Sequence, residues 1–148
     1  MPNIRWLLAL ITAVHRFVYQ QSGGRIGSRL PGQRFLLLTT IGRRTGRPRV
    51  MPLLYIRDGD RFVVVGSNAG DDRPPAWWRN LQAQPAAQVQ AGREHHLVSA
   101  HRAQGAELDA LWPRLDASYR YYADYRRRTP REIPVVVLEP VPNPVASV

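Results

Sequence analysis

A small β-barrel of α+β class is the fold this sequence predicts, and three observations carry the prediction. Runs rich in Leu, Val, Thr and Phe recur with short turns between them at residues 34–41, 49–57 and 61–67, the pattern of an antiparallel meander and not of alternating βα units. Three further strand-like runs follow at residues 87–91, 94–101 and 133–139, making about six strands in all. Helical periodicity is confined to the flanks of these runs. A chain of 148 residues that is 44% hydrophobic makes one domain with a real core.

The elements follow in order. Over residues 4–19, Ile4, Leu7, Leu8, Ile11, Val14 and Val18 recur at three- and four-residue steps and form one apolar face of a helix. Arg5 and Arg16 bracket it, with Trp6 and Tyr19 near its ends. The apolar core is too short for the roughly 20 residues a bilayer requires. It suits either packing on the domain or lying on a membrane surface. Residues 20–33 carry Ser22-Gly23-Gly24, Gly27-Ser28 and Pro31-Gly32 and read as a loop. Asp58-Gly59-Asp60 is a hairpin turn between the second and third strands. Residues 68–75 form a polar loop, and residues 76–84 a short helix stopped by Pro85. A helix spans residues 105–125, with Leu108, Leu111, Trp112, Leu115 and Tyr119 on one face and a kink or break at Pro113. The expected organisation is therefore an N-terminal amphipathic helix (1–20), a barrel domain (21–140) and a short tail (141–148).

Composition excludes several chemistries. The absence of cysteine removes disulfides, thiolate nucleophiles and iron–sulfur clusters. All 21 basic residues are arginine, so Schiff-base lysines and Walker-type loops are also absent. With 11 acidic residues the net charge is +10, which favours a phosphorylated cofactor, an anionic membrane or a nucleic acid. The charge concentrates in one turn: Arg43, Arg44, Arg47 and Arg49 flank Gly42, Thr45 and Gly46. Glycines let the backbone turn tightly and expose its amides, and guanidinium groups match phosphate or carboxylate oxygens.

Other constellations are weaker or need a partner. His95 and His101 share a strand face, but no carboxylate joins them as a metal ligand set, so they read as solvent-facing. No nucleophile elbow and no carboxylate pair point to hydrolysis. Tyr119, Tyr122 and Tyr125 recur every third residue, spreading over roughly 120° of a helix face, with Tyr121 nearby. Such phenols pack on a barrel, or donate hydrogen bonds to a carbonyl or nitro group that gains charge. Trp77-Trp78 and Asn80 offer one core anchor and a border for a planar ring, with Ser67 and Asn68 supplying short polar contacts.

Together these motifs carry a resemblance. The run from Leu38-Thr39-Thr40 through Gly42-Arg43-Arg44-Thr45-Gly46 to Pro48-Arg49-Val50 and Pro52-Leu53 resembles the signature of the deazaflavin-dependent nitroreductases. So do Ala76-Trp77, Asn80-Leu81, the tyrosine spacing and the closing Ile133-Pro134-Val135-Val136-Val137. The resemblance implies a split β-barrel and the reduced form of coenzyme F420, a deazaflavin with a phosphodiester-linked oligoglutamate tail. Arg43, Arg44, Thr45 and Arg49 would face the phosphate and the tail. Arg49, Val50, Met51, Pro52, Leu53 and Leu54, then Val65, Gly66, Ser67 and Asn68, then Ala76, Trp77, Trp78, Arg79 and Asn80 would line the cofactor. Tyr122, with Tyr119 and Tyr125, would border the ring on the substrate side. The implied reaction is hydride transfer to a menaquinone-like quinone or a nitroaromatic, in a homodimer. The protein is expected to be cytoplasmic, and the membrane-surface reading of its N-terminal helix would set it at the inner face of the membrane, beside a lipophilic quinone. Family members commonly have lysine at the position of Arg44, and some an aromatic at that of Leu54. The alternatives are an FMN-binding split-barrel oxidoreductase and, in a different class, a basic module for single-stranded nucleic acid. Aromatics placed in helices and not alternating along strands speak against the latter.

Overall fold

The computed structural model describes residues 29–30 and 33–142. The expected helix over residues 4–19 and its membrane contact lie outside the described residues. Among the described residues eight strands form one antiparallel sheet: β1 (Arg29–Leu30), β2 (Gln33–Ile41), β3 (Pro48–Leu54), β4 (Ile56–Asp58), β5 (Arg61–Val65), β6 (Ala86–Ala91), β7 (Glu94–Arg102) and β8 (Val135–Pro140). Three helices of the described residues flank it: α1 (Ala76–Ala83), α2 (Gly105–Ser118) and α3 (Tyr122–Arg128).

The order across the sheet is β3-β2-β6-β7-β8-β5-β4, with the short β1 on β2. β3 and β4 therefore sit at opposite ends of the sheet, yet only Tyr55 separates them in the chain. One long strand bends at Tyr55, leaves β2 after the pair Phe35↔Leu54 and joins β5 at Ile56↔Val63. This bend curls the sheet into a split barrel, the fold class the sequence predicts. Counting β3 and β4 as one strand, and setting the two-residue β1 aside, leaves the expected six. The single straight strand expected over residues 49–57 is thus corrected to two. Its bend is held by the Tyr55 N–H donating to the Arg34 carbonyl at 3.1 Å and by the Tyr55 ring packing 5.6 Å from Phe62.

Two apolar layers result. Leu36, Leu38, Phe62, Val64, Val89, Val136 and Leu138 fill the barrel, with Trp77 and Leu81 of α1 packed among them. Val63, Val65, Val135 and Val137 face outward beneath Leu111, Leu115 and Tyr122 of α2 and α3. β5 and β8 are buried on both sides, and so they read as unbroken valine runs where a half-exposed strand alternates.

The helix expected over residues 105–125 breaks elsewhere than predicted. α2 runs through Pro113, whose missing N–H leaves a carbonyl on the exposed side where water can serve it. The break falls at residues 119–121. Tyr119 is extended, and its N–H closes α2 on the Leu115 carbonyl at 3.1 Å. Among the described residues, no helix is long and apolar enough to cross a membrane.

Candidate cofactor and substrate site

The β2–β3 connection is a closed turn. Gly42 N–H donates to the Arg47 carbonyl at 2.8 Å, and Gly46 N–H donates to the Gly42 carbonyl at 2.8 Å. Gly46 has φ 69°, the left-handed region in which glycine is favoured. A Cβ on Gly42 would lie 2.8 Å from Thr45 Oγ1, which itself accepts from Arg47 N–H at 3.2 Å. Asn80 of α1 ties the turn to the barrel: its Oδ1 accepts from Arg43 N–H at 3.1 Å, and its Nδ2 donates to the buried Thr40 Oγ1 at 3.0 Å.

The turn thereby displays Arg43, Arg44, Arg47 and Arg49, all exposed, and none pairs with a carboxylate among the described residues. Elsewhere six arginines are neutralised: Arg57, Arg61, Arg102, Arg114, Arg126 and Arg127 each hold an acidic partner. The unpaired four line a cleft of about 860 Å³ together with Thr45, Val50, Met51, Ala76, Trp77 and Asn80.

Met51 and Trp77 also line a second cavity of about 280 Å³, so the two adjoin. Its walls are Pro52, Leu53, Leu54, Val65, Ser67 and Asn68, closed by Tyr119, Tyr122 and Tyr125. The tyrosines meet because α2 ends and α3 begins between them, and not because they share one helix face. Tyr119 Oη lies 3.2 Å from Tyr125 Oη, and the Tyr119 and Tyr122 rings meet edge-on at 4.9 Å. The hydrogen bond to Tyr125, reinforced by burial, pushes the Tyr119 phenol up to about 12, and burial raises the Tyr122 phenol as well. Both phenols stay protonated at working pH and serve as donors.

Three expected site residues line neither cavity. Trp78 packs against the barrel core, and Arg79 is half-buried on α1. Gly66 is structural: its N–H donates to the Pro134 carbonyl at 2.9 Å, and a Cβ there would strike Pro134 at 2.8 Å. Leu54 faces the cavity while Tyr55 turns into the core. His101 bonds Glu107 at 2.9 Å and His96 approaches Glu94 at 3.5 Å, and no metal-binding cluster occurs among the described residues.

One residue escaped the sequence reading altogether. Arg131 donates to the carbonyls of Asp71 at 2.9 Å, Gly66 at 3.2 Å and Ser67 at 2.8 Å. It braces a 3-10 turn, Asn68–Gly70, in which Asn68 and Ala69 hold φ of 46° and 53°. For alanine that conformation costs about 1 kcal/mol or more and persists only where surroundings enforce it. No local motif marks Arg131, because its partners lie 60 to 65 residues away.

Fold and cavities together define a split β-barrel protein built for a ligand with an anionic end and a flat, apolar end. The chain belongs to the F420H(2)-dependent quinone reductase family, whose model matches residues 12–140. It is 40% identical over 146 residues to an F420H(2)-dependent quinone reductase of Mycobacterium tuberculosis, covering 93% of this chain and 98% of the relative. A solved F420-H2 dependent reductase shares 32% identity at a TM-score of 0.66, over 71% of this chain and 93% of its own. Another solved structure, described as a domain-swapped dimer, shares 28% identity at a TM-score of 0.70, over 86% of this chain and 95% of its own.

Proposed function

We propose that this protein oxidises reduced coenzyme F420 and delivers a hydride to a quinone or a nitroaromatic. The observation that carries the reading is the cleft of four carboxylate-free arginines opening into a tyrosine-lined cavity. A cofactor with a phosphodiester and a polyglutamate tail matches that donor set, and a flat ring matches the apolar walls beyond Met51 and Trp77. FMN carries one phosphate and no acidic tail, which leaves most of the turn's cations without a partner. When bound, the deazaflavin supplies the hydride.

Arg43, Arg44, Arg47 and Arg49 neutralise the tail, and Thr45 and the turn's amides position the phosphate. Met51, Pro52, Leu53, Leu54, Trp77, Val65, Ser67 and Asn68 border the ring and exclude water from it. Tyr122, with Tyr119 and Tyr125, closes the cavity on the acceptor side. There a protonated phenol donates to the acceptor oxygen as negative charge develops on it. Every residue of this proposed site falls within the barrel domain expected over residues 21–140. The amphipathic pattern of residues 4–19 suits peripheral contact with the inner face of the membrane, where a lipophilic quinone resides. The domain-swapped neighbour supports a homodimer.

The test is oxidation of F420H2 followed by absorbance, with menadione and a nitroaromatic as acceptors. Turnover with either, together with weaker binding of reduced FMN than of F420H2, is the expected result. No turnover with any acceptor, or tighter FMN binding, overturns the reading.

A further inference from the structure

The bent β3–β4 strand lines three chambers in succession. Residues 48–51 wall the arginine cleft, residues 51–54 the tyrosine cavity, and residues 54–57 a third chamber of about 360 Å³. The third chamber abuts the second through Leu54 and Tyr119, which line both. It therefore lies on the far side of the tyrosine cavity from the arginine turn.

Its polar wall is cationic. Arg34, Arg57 and Arg114 line it and no carboxylate does, although the Arg57 guanidinium itself lies over Phe62 of the barrel core. Arg57 is oriented by Glu94 at 3.0 Å and lies 4.3 Å over the Phe62 ring. Arg114 is anchored by Asp58 at 2.9 Å. Both acidic partners sit outside the chamber wall. Arg34, exposed at the start of β2, has no carboxylate partner among the described residues. Arg114, held by Asp58 and by the Arg57 carbonyl, and the unneutralised Arg34, beside the apolar Leu54 and Ile56, form a receptor for one anionic group on a flat organic body.

We propose that this chamber is an acceptor subsite for a carboxylate- or sulfonate-bearing aromatic acceptor. It rests on the reading of the tyrosine cavity as the acceptor site. The acceptor's ring lies on the tyrosine side of that cavity, over the cofactor ring, while its anionic substituent reaches past Leu54 and Tyr119 to Arg34. The arginine turn and this chamber thus hold two different anions, one at each end of the site.

Tryptophan fluorescence tests it, because Trp77 lines the acceptor cavity. The protein is saturated with oxidised F420, which occupies the arginine turn, and titrated with 1,4-naphthoquinone or 1,4-naphthoquinone-2-sulfonate. The sulfonate is expected to bind about tenfold more tightly than the neutral quinone at low salt. Arg34→Gln is expected to bring that ratio close to one, and Arg34→Lys to retain most of it. Equal affinities in the wild type overturn the proposal, as does a preference abolished by Arg44→Gln and untouched by Arg34→Gln. The same pair of quinones is then compared by kcat/KM with F420H2, where the same ratio is expected. If neither quinone is reduced, the reductase reading fails, while the titration still decides the chamber.

Discussion

Asn80 joins the arginine turn to the barrel through one carboxamide, with a donor spent on Thr40 and an acceptor on Arg43. Thr40 is fully buried, so removing its partner leaves a hydroxyl without water to replace the bond. Each buried group left unmatched costs about 1–3 kcal/mol. Asn80→Ala is therefore expected to lower stability by about 2–3 kcal/mol in urea unfolding, and to weaken F420 binding more than tenfold through a slackened turn. Intact F420 affinity in Asn80→Ala would refute this coupling. The sequence marks Asn80 as a site residue but reads it only as a border of a planar ring. Its bracing partners lie 37 and 40 positions away, and spacing along the chain does not reveal them. The tyrosines illustrate the converse. Their three-residue spacing predicts that they gather, and they do, although a helix break does the gathering. The raised pKa values of Tyr119 and Tyr122 keep those two phenols protonated, with an O–H to donate. Tyr122→Phe should lower kcat about a hundredfold, as loss of one transition-state donor does, with F420 affinity preserved. In the wild type, no loss of rate attributable to phenol ionisation is expected below about pH 10.

At the scale of elements, the loop between β5 and α1 is the part of the site least legible in the sequence. A polar, glycine-containing loop is easily read from residues 68–75, but a left-handed Asn68-Ala69-Gly70 turn is not, since alanine disfavours that conformation. The turn is imposed from outside, by the three hydrogen bonds of Arg131 and by α3, whose Arg128 and Tyr125 crowd Gly70 to 3.2 Å of a would-be Cβ. Arg131→Ala releases three carbonyls at once. Amide exchange should rise selectively over residues 66–72, and KM for the acceptor should increase severalfold with kcat less affected. Uniform exchange across the molecule would instead mark a general loss of stability. The break between α2 and α3 is hidden for a related reason. Pro113 is the conspicuous breaker in the sequence, but an exposed position tolerates it, and α2 ends instead where the half-buried Tyr119 turns extended beside the buried Tyr122.

For the whole molecule, the sequence makes the barrel legible because its strands are short, apolar and separated by strong turns. The closure is not legible, because one strand serving both sheet edges reads as an ordinary strand. The +10 charge likewise hides a difference between arginines that staple elements together through acidic partners and the four carboxylate-free ones clustered at the cleft. The paired set fastens α2 to the β4–β5 hairpin: Arg61 reaches Asp58 and Glu107, Arg114 reaches Asp58, and His101 reaches Glu107. The hydrogen bond from Arg61 holds Asp58 below the usual carboxylate value of 3.8. Burial opposes this at Glu107, but His101 and Arg61 outweigh it and keep that carboxyl below 4.5. A depressed folded pKa contributes stability that is present above the unfolded value and lost as pH falls through the folded one. The tyrosines act with the opposite sign. A phenol raised from 10.0 to about 12 contributes in full below pH 10 and loses its contribution as pH climbs toward 12. Urea midpoints measured from pH 3 to pH 12 should therefore fall at both ends, beginning near pH 4 on the acid side and near pH 10 on the alkaline side. Glu107→Gln should flatten only the acid limb and Tyr122→Phe only the alkaline limb, because the two groups sit in separate networks; a limb unchanged by its own substitution would assign it to other groups.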